Sequence, residues 1–217
     1  MTQIILARNG NTPWDKDKIF QGSKDIPLDD LGREEAWALA EWLQDESIHA
    51  TYSSPLSRAR DTAIAIARHH NLEVLDMPCL ADLSYGDWDG VPLKEVKVKY
   101  ADLYRQWEAA PHTVCFPNGE TLAVLRTRAL AAVEEVVQRH PDRTVLLMAH
   151  RAVNKVLIAA FIGLDNSNFW RIAQDTTAIN RFHLVEDGRR VGQTWNIISI
   201  NENGHLREMM RGAYADF

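Results

Sequence analysis

The sequence predicts an α/β fold in the form of a three-layer α/β/α sandwich, with a mostly parallel central sheet and a small inserted cap. Two observations point to this class. Short apolar runs alternate along the chain with longer segments whose apolar residues recur at helical spacing. The run at residues 144–149 is continuously apolar, which is typical of a parallel strand that helices cover on both faces. Strands that alternate with helices in this way build a sheet with helices on each face.

The first third of the chain contains two predicted helices and three predicted strands. Asp29 or Asp30 is suited to cap the first helix, whose apolar period continues to Leu43. The second helix opens with Pro55 near its first turn, a position that proline favours. The strands are the runs at residues 4–6, 51–53 and 72–75.

The next segment, residues 78–118, is irregular, and we interpret it as a cap inserted over the core. Prolines and aromatic residues interrupt any regular period there, apart from one predicted helix at residues 93–107. The chain is then a single domain, residues 1–217, with this cap as its insertion. The elements predicted after the cap are a helix at 120–139, a strand at 144–149, a helix at 153–162 that stops at Gly163, and strands at 179–185 and 193–200 around a turn at Asp187 and Gly188.

Composition and charge exclude several classes of function. Hydrophobic residues make up 46% of the chain and charged residues 25%, as in ordinary soluble domains. The net charge of −6 argues against nucleic acid or a membrane surface as a partner, so we expect neither. A phosphorylated ligand would therefore need a local basic pocket. Cys79 and Cys115 lack the spacing of metal ligands, and we expect no metal and no cofactor.

Location and assembly follow less directly from the sequence. No apolar run approaches the roughly 18 residues of a membrane-spanning helix, and no signal-peptide pattern is evident. We therefore expect a cytoplasmic protein. Whether it is a monomer or a homodimer stays open at this stage.

Charged and histidine residues lie close to the ends of the predicted strands. Arg8 follows the first strand, Arg58 lies near the start of the second helix, and His150 follows the strand at 144–149. Ligands bind at the carboxyl edge of open parallel sheets, helix starts favour anions, and the planar guanidinium group suits phosphate. These residues therefore indicate a phosphate site. A surface salt bridge for Arg8 and a solvated side chain for Arg58 are the structural alternatives.

Four segments in order resemble the histidine phosphatase superfamily, the phosphoglycerate-mutase-like enzymes. Residues 8–12 (RNGNT) resemble the family signature Arg-His-Gly-x-Thr, and residues 53–63 (SSPLSRARDTA) resemble Ser-Ser-Pro-Leu-x-Arg-Ala-x-x-Thr-Ala. Residues 80–90 (LADLSYGDWDG) resemble Leu-x-Glu-x-x-(Phe/Tyr)-Gly-x-Trp-Glu-Gly. The strand that ends at His150 is similar to the family strand that ends in Ser-His or Ala-His. The resemblance covers nearly the whole chain.

The resemblance implies a role for each matching position. Asn9 stands where the family has its nucleophilic histidine, and Asp82 stands where the family has its general acid, usually Glu. The other two departures are Asp15, where many members have Asn, and Arg151, where they often have Gly. Together with the catalytic role of His150, the resemblance implies that the phosphate group is bound by Arg8, Arg58, His150, Asn11, Gln21 and Gly22.

Asn9 allows two interpretations. An amide is unable to carry a phosphoryl group as an imidazole does, but it imitates one imidazole nitrogen in hydrogen bonding. In the first interpretation a native histidine has been replaced, which leaves an inactive or severely impaired enzyme. In the second, Asn9 is native and the protein is a pseudoenzyme that binds phosphate ligands without turnover.

The resemblance implies a phosphomonoesterase that hydrolyses small phosphorylated metabolites through a phosphohistidine intermediate. The ligand that it implies is such a metabolite or free phosphate. A phosphoglycerate mutase is the alternative within the same fold. Family mutases tend to have a longer insert between the acid and the second histidine, so the short interval from Asp82 to His150 favours hydrolysis. Polar and aromatic residues of the cap are candidates for substrate selection or for a small core of the cap itself: Tyr85, Trp88, Tyr100, Tyr104, Trp107 and His112.

Overall fold

The computed structural model describes residues 1–185 and 194–206, and its central sheet is mostly parallel, as predicted. The strand order is β3-β2-β4-β1-β5-β6. The first four of these are mutually parallel. At one edge, β5 is antiparallel to β1, and β6 is antiparallel to β5. The predicted turn at Asp187 and Gly188 lies outside the described residues. The strands are β1 (Gln3–Arg8), β2 (Ala50–Ser53), β3 (Val74–Asp76), β4 (Thr144–Ala149), β5 (Ile179–Val185) and β6 (Thr194–Glu202).

Two of the long helices begin at a residue whose side chain caps them. Asp29 accepts a hydrogen bond from the Gly32 amide at the start of the first long helix, and Thr121 accepts one from the Val124 amide at the start of the longest. The α-helices of the described residues are α1 (Pro13–Lys16), α2 (Asp30–Leu43), α3 (Ser57–His69), α4 (Leu93–Lys99), α5 (Ala101–Ala109), α6 (Leu122–Arg139) and α7 (Arg151–Phe161).

The predicted three-layer α/β/α arrangement is confirmed, because helices cover both faces of the sheet. Alternate residues of β1 point to opposite faces, so Ile5 packs with α2 and α3 while Leu6 packs with α6 and α7. Leu146 and Leu147 of β4 divide in the same way. Both faces of the central strands are therefore apolar, which explains why β4 is continuously apolar in sequence.

The single helix predicted at residues 93–107 is wrong, because α4 and α5 are separate. The backbone of Tyr100 leaves the helical region, with φ −124° and ψ 39°. Val96 of α4 and Trp107 of α5 are both buried.

The aromatic residues between β3 and α6 form a packed cluster. Trp88 and Trp107 each meet Phe116 edge to face, with ring centroids 5.0 and 5.1 Å apart. The cluster is continuous with the core beneath α6 and α7. The cluster therefore supports one wall of a cavity that opens at the carboxyl edge of the sheet.

Candidate active site

The site lies at the carboxyl edge of the parallel strands, where sequence analysis expected it. The Asn9 amide donates to the Ala149 carbonyl at 3.0 Å, and the Ser54 amide donates to the Met148 carbonyl at 3.0 Å. The residues that follow β1, β2 and β4 are thereby brought side by side. A cavity of about 500 Å³ opens at this edge. Its walls include six of the predicted site residues: Arg8, Asn9, Gln21, Gly22, Arg58 and Asp82.

Asn9 and His150 are joined directly. Asn9 Nδ2 donates to the Gly10 carbonyl at 2.8 Å, which turns Asn9 Oδ1 toward His150 Nδ1 at 3.1 Å. His150 Nε2 lies 2.7 Å from Ser54 Oγ. Because Asn9 Oδ1 only accepts, His150 carries its proton on Nδ1 and accepts from the Ser54 hydroxyl at Nε2.

His150 is neutral in this arrangement. It is 1% exposed. Burial, followed by the charges of Arg58 and Arg8, holds the pKa of its imidazole well below 6.5. His150 is not among the residues that line the cavity, since Asn9 lies between them. Its contact with phosphate stays a prediction, and its Nδ1 donor is shared with Asn9 in this structure.

Arg8 is held at the cavity wall by its neighbours. Arg8 Nη1 donates to the Gln174 carbonyl at 2.7 Å, and Nη2 lies 3.2 Å from Asp15 Oδ1. Asp15 Oδ2 also accepts from the Thr12 amide and from Gln21 Nε2, each at 2.9 Å. Arg8 Nε is buried and has no partner in the described part of the chain. Arg8 thus keeps a donor for a ligand while its guanidinium plane is fixed.

Arg58 is buried rather than solvated, so the solvated alternative is wrong. Its side chain is 1% exposed, and it donates to the carbonyls of Lys24 and Gly22 at 2.8 and 2.9 Å. Gly22 has φ +51°, and a Cβ there would lie 1.8 Å from Asp89 Oδ1. A glycine at this position lets the loop close over the guanidinium group.

Asp82 faces both cationic and histidine side chains. Its Oδ2 lies 3.2 Å from Arg58 Nη2 and 3.9 Å from His150 Nδ1, and its Oδ1 accepts from the Leu83 amide at 2.9 Å. Burial raises the pKa of the Asp82 carboxyl above 3.8, and the charge of Arg58 opposes this only in part. A carboxyl group that keeps its proton longer is suited to general acid catalysis.

The loop that carries Asp82 is fixed by Arg128, which sequence reasoning missed. Arg128 donates to the backbone carbonyls of Ala81 and Asp82 at 2.6 and 2.9 Å, and it pairs with Glu120 at 2.8 Å. Arg128 lies in the middle of α6, so no local signal marks it. Asp15 had such a signal, because Thr12 followed three residues later by an acid is a capping pattern.

Asn11 is engaged elsewhere. Its side-chain amide donates to Asp29 Oδ2 at 2.8 Å, and its backbone amide donates to Glu35 Oε2 at 2.8 Å. It is not among the residues that line the cavity. Its role in phosphate binding stays a prediction from the resemblance, with the contacts of this structure pointing to the turn instead.

Aromatic side chains form much of the outer wall. Of the candidates in the cap, Tyr85, Tyr104 and Trp107 line the cavity, whereas Trp88 is fully buried in the aromatic cluster. Tyr100 and His112 do not line it. Sequence reasoning missed three further aromatic residues of this wall, which come from outside residues 78–118: Trp14, Phe20 and Trp170. Arg151, which the sequence singled out without placing it, also lines the cavity.

Within residues 1–185 and 194–206, no helix has the length and apolar character needed to cross a membrane. The same ranges contain no cluster of three or more His, Cys, Asp or Glu residues arranged to hold a metal ion.

Known proteins are similar to this chain in sequence and in fold. The chain is 34% identical over 208 residues to phosphoserine phosphatase 1 of Hydrogenobacter thermophilus, covering 96% of each chain. It superposes on YhfR of Bacillus stearothermophilus with a TM-score of 0.88 and 28% identity, covering 95% of this chain and all of the other. A mycobacterial glucosyl-3-phosphoglycerate phosphatase superposes with a TM-score of 0.83 and 25% identity, covering 92% and 98%.

The family assignment rests on both the sequence and the geometry. Residues 4–198 match the histidine phosphatase superfamily (branch 1). The match includes each of the four segments that converge on the cavity. The chain therefore belongs to the histidine phosphatase superfamily, among relatives that are phosphatases.

Proposed function

We propose that this chain has the scaffold of a metal-independent phosphomonoesterase, inactivated by Asn9 at the nucleophile position. A histidine at that position would hydrolyse small phosphorylated metabolites through a phosphohistidine intermediate. The observation that carries this proposal is the convergence of Arg8, Arg58 and Asp82 around Asn9 at the edge of the sheet. The phosphatase relatives favour hydrolysis over the mutase alternative.

The contacts of Asn9 support the assignment of the nucleophile position. Asn Nδ2 and His Nδ1 are both one bond beyond Cγ, so an imidazole in the same rotamer would donate Nδ1–H to the Gly10 carbonyl. That bond fixes the tautomer in which Nε2 has a free lone pair, as a nucleophile needs. The bond also directs Nε2 away from Gly10, toward the cavity that Asn9 lines.

Asn9 also occupies the donor of His150. Its Oδ1 accepts from His150 Nδ1, whereas an imidazole in the same rotamer would place Cδ2–H there. Asn9→His would therefore free His150 Nδ1–H to donate to a phosphoryl oxygen. Asn9 thus removes the nucleophile and also occupies a hydrogen-bond donor that would otherwise be available to the phosphoryl group.

The reaction in Asn9→His follows from these positions. The new Nε2 attacks phosphorus while the ester oxygen leaves on the opposite side, and Arg8 and Arg58 stabilise the equatorial oxygens. Asp82 gives its proton to the leaving oxygen as the P–O bond breaks. Water then attacks the phosphohistidine, Asp82 takes a proton from that water, and the imidazole and inorganic phosphate are released.

The decisive experiment compares Asn9→His with the parent chain and with Asn9→Ala. Hydrolysis of an aryl phosphate is measured in the presence of a chelator. Loss of a covalent nucleophile commonly costs several orders of magnitude, so Asn9→His should exceed both others by about 10³-fold or more. Equal rates in all three proteins would contradict the proposal and favour a native pseudoenzyme.

The phosphate site is tested separately from turnover. Calorimetry measures the binding of inorganic phosphate or vanadate to the parent chain and to Arg58→Ala made in it. We expect the variant to bind either anion more weakly. Arg60→Ala is the matched control, because Arg60 lies on the same helix, pairs with Asp76 and is largely exposed. Equal affinities in the two variants would place the phosphate site elsewhere.

A further inference from the structure

Arg151 has a position that the reaction does not use. It is the first residue of α7 and directly follows His150, and it lines the cavity with Arg8 and Asp82. In the part of the chain that the structure describes, its guanidinium group forms neither a hydrogen bond nor an ion pair. The guanidinium group lies over the ring of Trp170, whose centroid is 5.9 Å from Cζ. The group therefore has its donors available on the cavity side.

Arg8 and Arg58 differ from Arg151 in this respect. Their guanidinium groups are held by backbone carbonyls and by carboxylates of the protein. Arg151 is exposed to the solvent of the cavity and keeps the free fork that binds a carboxylate bidentately. It is thus available to a ligand without the loss of an existing contact.

Burial and a neighbouring cation disfavour the charged form of Arg151. Desolvation and then the charge of Arg8 lower the pKa of its guanidinium group, opposed by weaker contributions from Tyr85, Asp15 and Asp82.

Lys155 lies one turn along α7 from Arg151. Its Nζ is buried over the rings of Phe169 and Trp170, at 4.8 and 4.7 Å from their centroids. In the described ranges no carboxylate lies within 4 Å of either side chain. An anionic ligand group beside Arg151 would stabilise its charged guanidinium group.

Aromatic side chains form the outer wall of the cavity. Tyr104, Trp107 and Trp170 belong to this wall, and Trp170 contacts Arg151. The part of a substrate that reaches this wall is the leaving group. Since aromatic rings exclude water, an ion pair formed beside them is stronger than one in open solvent.

We propose that Arg151 is a specificity-determining residue that binds a second anionic group, such as a carboxylate, on the leaving group of the phosphomonoester. This inference rests on the proposed function of the site. It names the class of preferred substrate: a small phosphomonoester whose alcohol portion carries a negative charge.

Binding to the parent chain tests this without turnover. The ligands are 3-phosphoglycerate and glycerol 3-phosphate, which differ in a carboxylate against a hydroxymethyl group. The parent should bind 3-phosphoglycerate about 10- to 100-fold more tightly, the size of a charge-assisted hydrogen bond. The ratio of the two dissociation constants should fall toward one in Arg151→Gln and be retained in part in Arg151→Lys.

The matched control is Arg171→Gln. Arg171 is exposed, bonds to Asn168 and does not line the cavity, so the ratio should match that of the parent. An unchanged ratio in Arg151→Gln would overturn the inference. It would also be overturned if neither ligand bound to the parent chain.

Turnover in the Asn9→His background separates this inference from the proposed function. No hydrolysis of either ester would count against the function while the ratio of dissociation constants still judged Arg151. Hydrolysis of both esters with equal kcat/KM would overturn the role of Arg151 and support the function. A preference for 3-phosphoglycerate that disappears in Arg151→Gln would support both.

Discussion

Replacing Asp82 by Asn in the Asn9→His background should slow the hydrolysis of alkyl phosphates far more than that of activated aryl phosphates. An alkoxide is a poor leaving group and needs a proton as the bond breaks, whereas a nitrophenolate hardly does. Burial raises the pKa of Asp82, so its carboxyl keeps a proton to higher pH than an exposed Asp would. A bound phosphate dianion raises it further, because it repels the carboxylate form.

The structure sets the size and the selectivity of the effect. Asn has the same shape as Asp, but its one amide oxygen accepts either from Arg58 or from the Leu83 amide, which bond to different oxygens of the carboxylate at 3.2 and 2.9 Å. Arg128 holds the backbone of this loop through carbonyl groups that the substitution leaves in place. The lost hydrogen bond affects both substrates alike, so the loss that is selective for alkyl substrates is that of the proton, about 10²- to 10⁴-fold.

The assay compares kcat/KM for glycerol 3-phosphate and p-nitrophenyl phosphate across three variants. Asp82→Asn should lose activity on the alkyl ester selectively, and Asp82→Glu should retain it, because a carboxyl group remains. Asp87→Asn is the control, since Asp87 is exposed and bonds only to Asn118 among side chains of the described residues. Equal losses on both substrates in Asp82→Asn would mean that Asp82 shapes the pocket and that another group is the acid.

Two further predictions concern stability. Gly32→Ala should destabilise the fold by about 1 to 3 kcal/mol in denaturant unfolding, because its Cβ would lie 2.0 Å from the Asn11 carbonyl oxygen. Gly204→Ala should be tolerated, since Trp42 is the nearest neighbour of its Cβ at 3.4 Å; equal effects would refute the steric argument. Desolvation, with Arg151 and Arg8, lowers the pKa of Lys155 from 10.5 to about 7. Between those values the unfolded chain binds more protons, so stability should rise with pH by roughly 5 kcal/mol, and Lys155→Met should remove that rise. Unfolding midpoints with parallel pH profiles in the parent and in Lys155→Met would contradict the lowered pKa.

The sequence alone determined the fold class and part of the cavity wall. Period and apolar run length state which face of an element is buried, and the carboxyl edge of a parallel sheet is a property of topology. Arg8 and Arg58 could therefore be assigned to one site from their places after a strand and at a helix start. The resemblance to the family added Asp82 and the position of the nucleophile, where this chain has Asn9.

The tertiary structure decided which partners the polar side chains have. That Asn9 binds the donor of His150, and that Arg128 holds the Asp82 loop, depends on contacts between residues 141 and 46 positions apart. The position of Arg151 also depends on tertiary packing, because it is set by the contact of α7 with Trp170. Local sequence patterns encode burial and backbone shape, whereas hydrogen-bond partners are chosen when distant elements pack. The availability of each charge to a ligand is consequently a property of the folded chain.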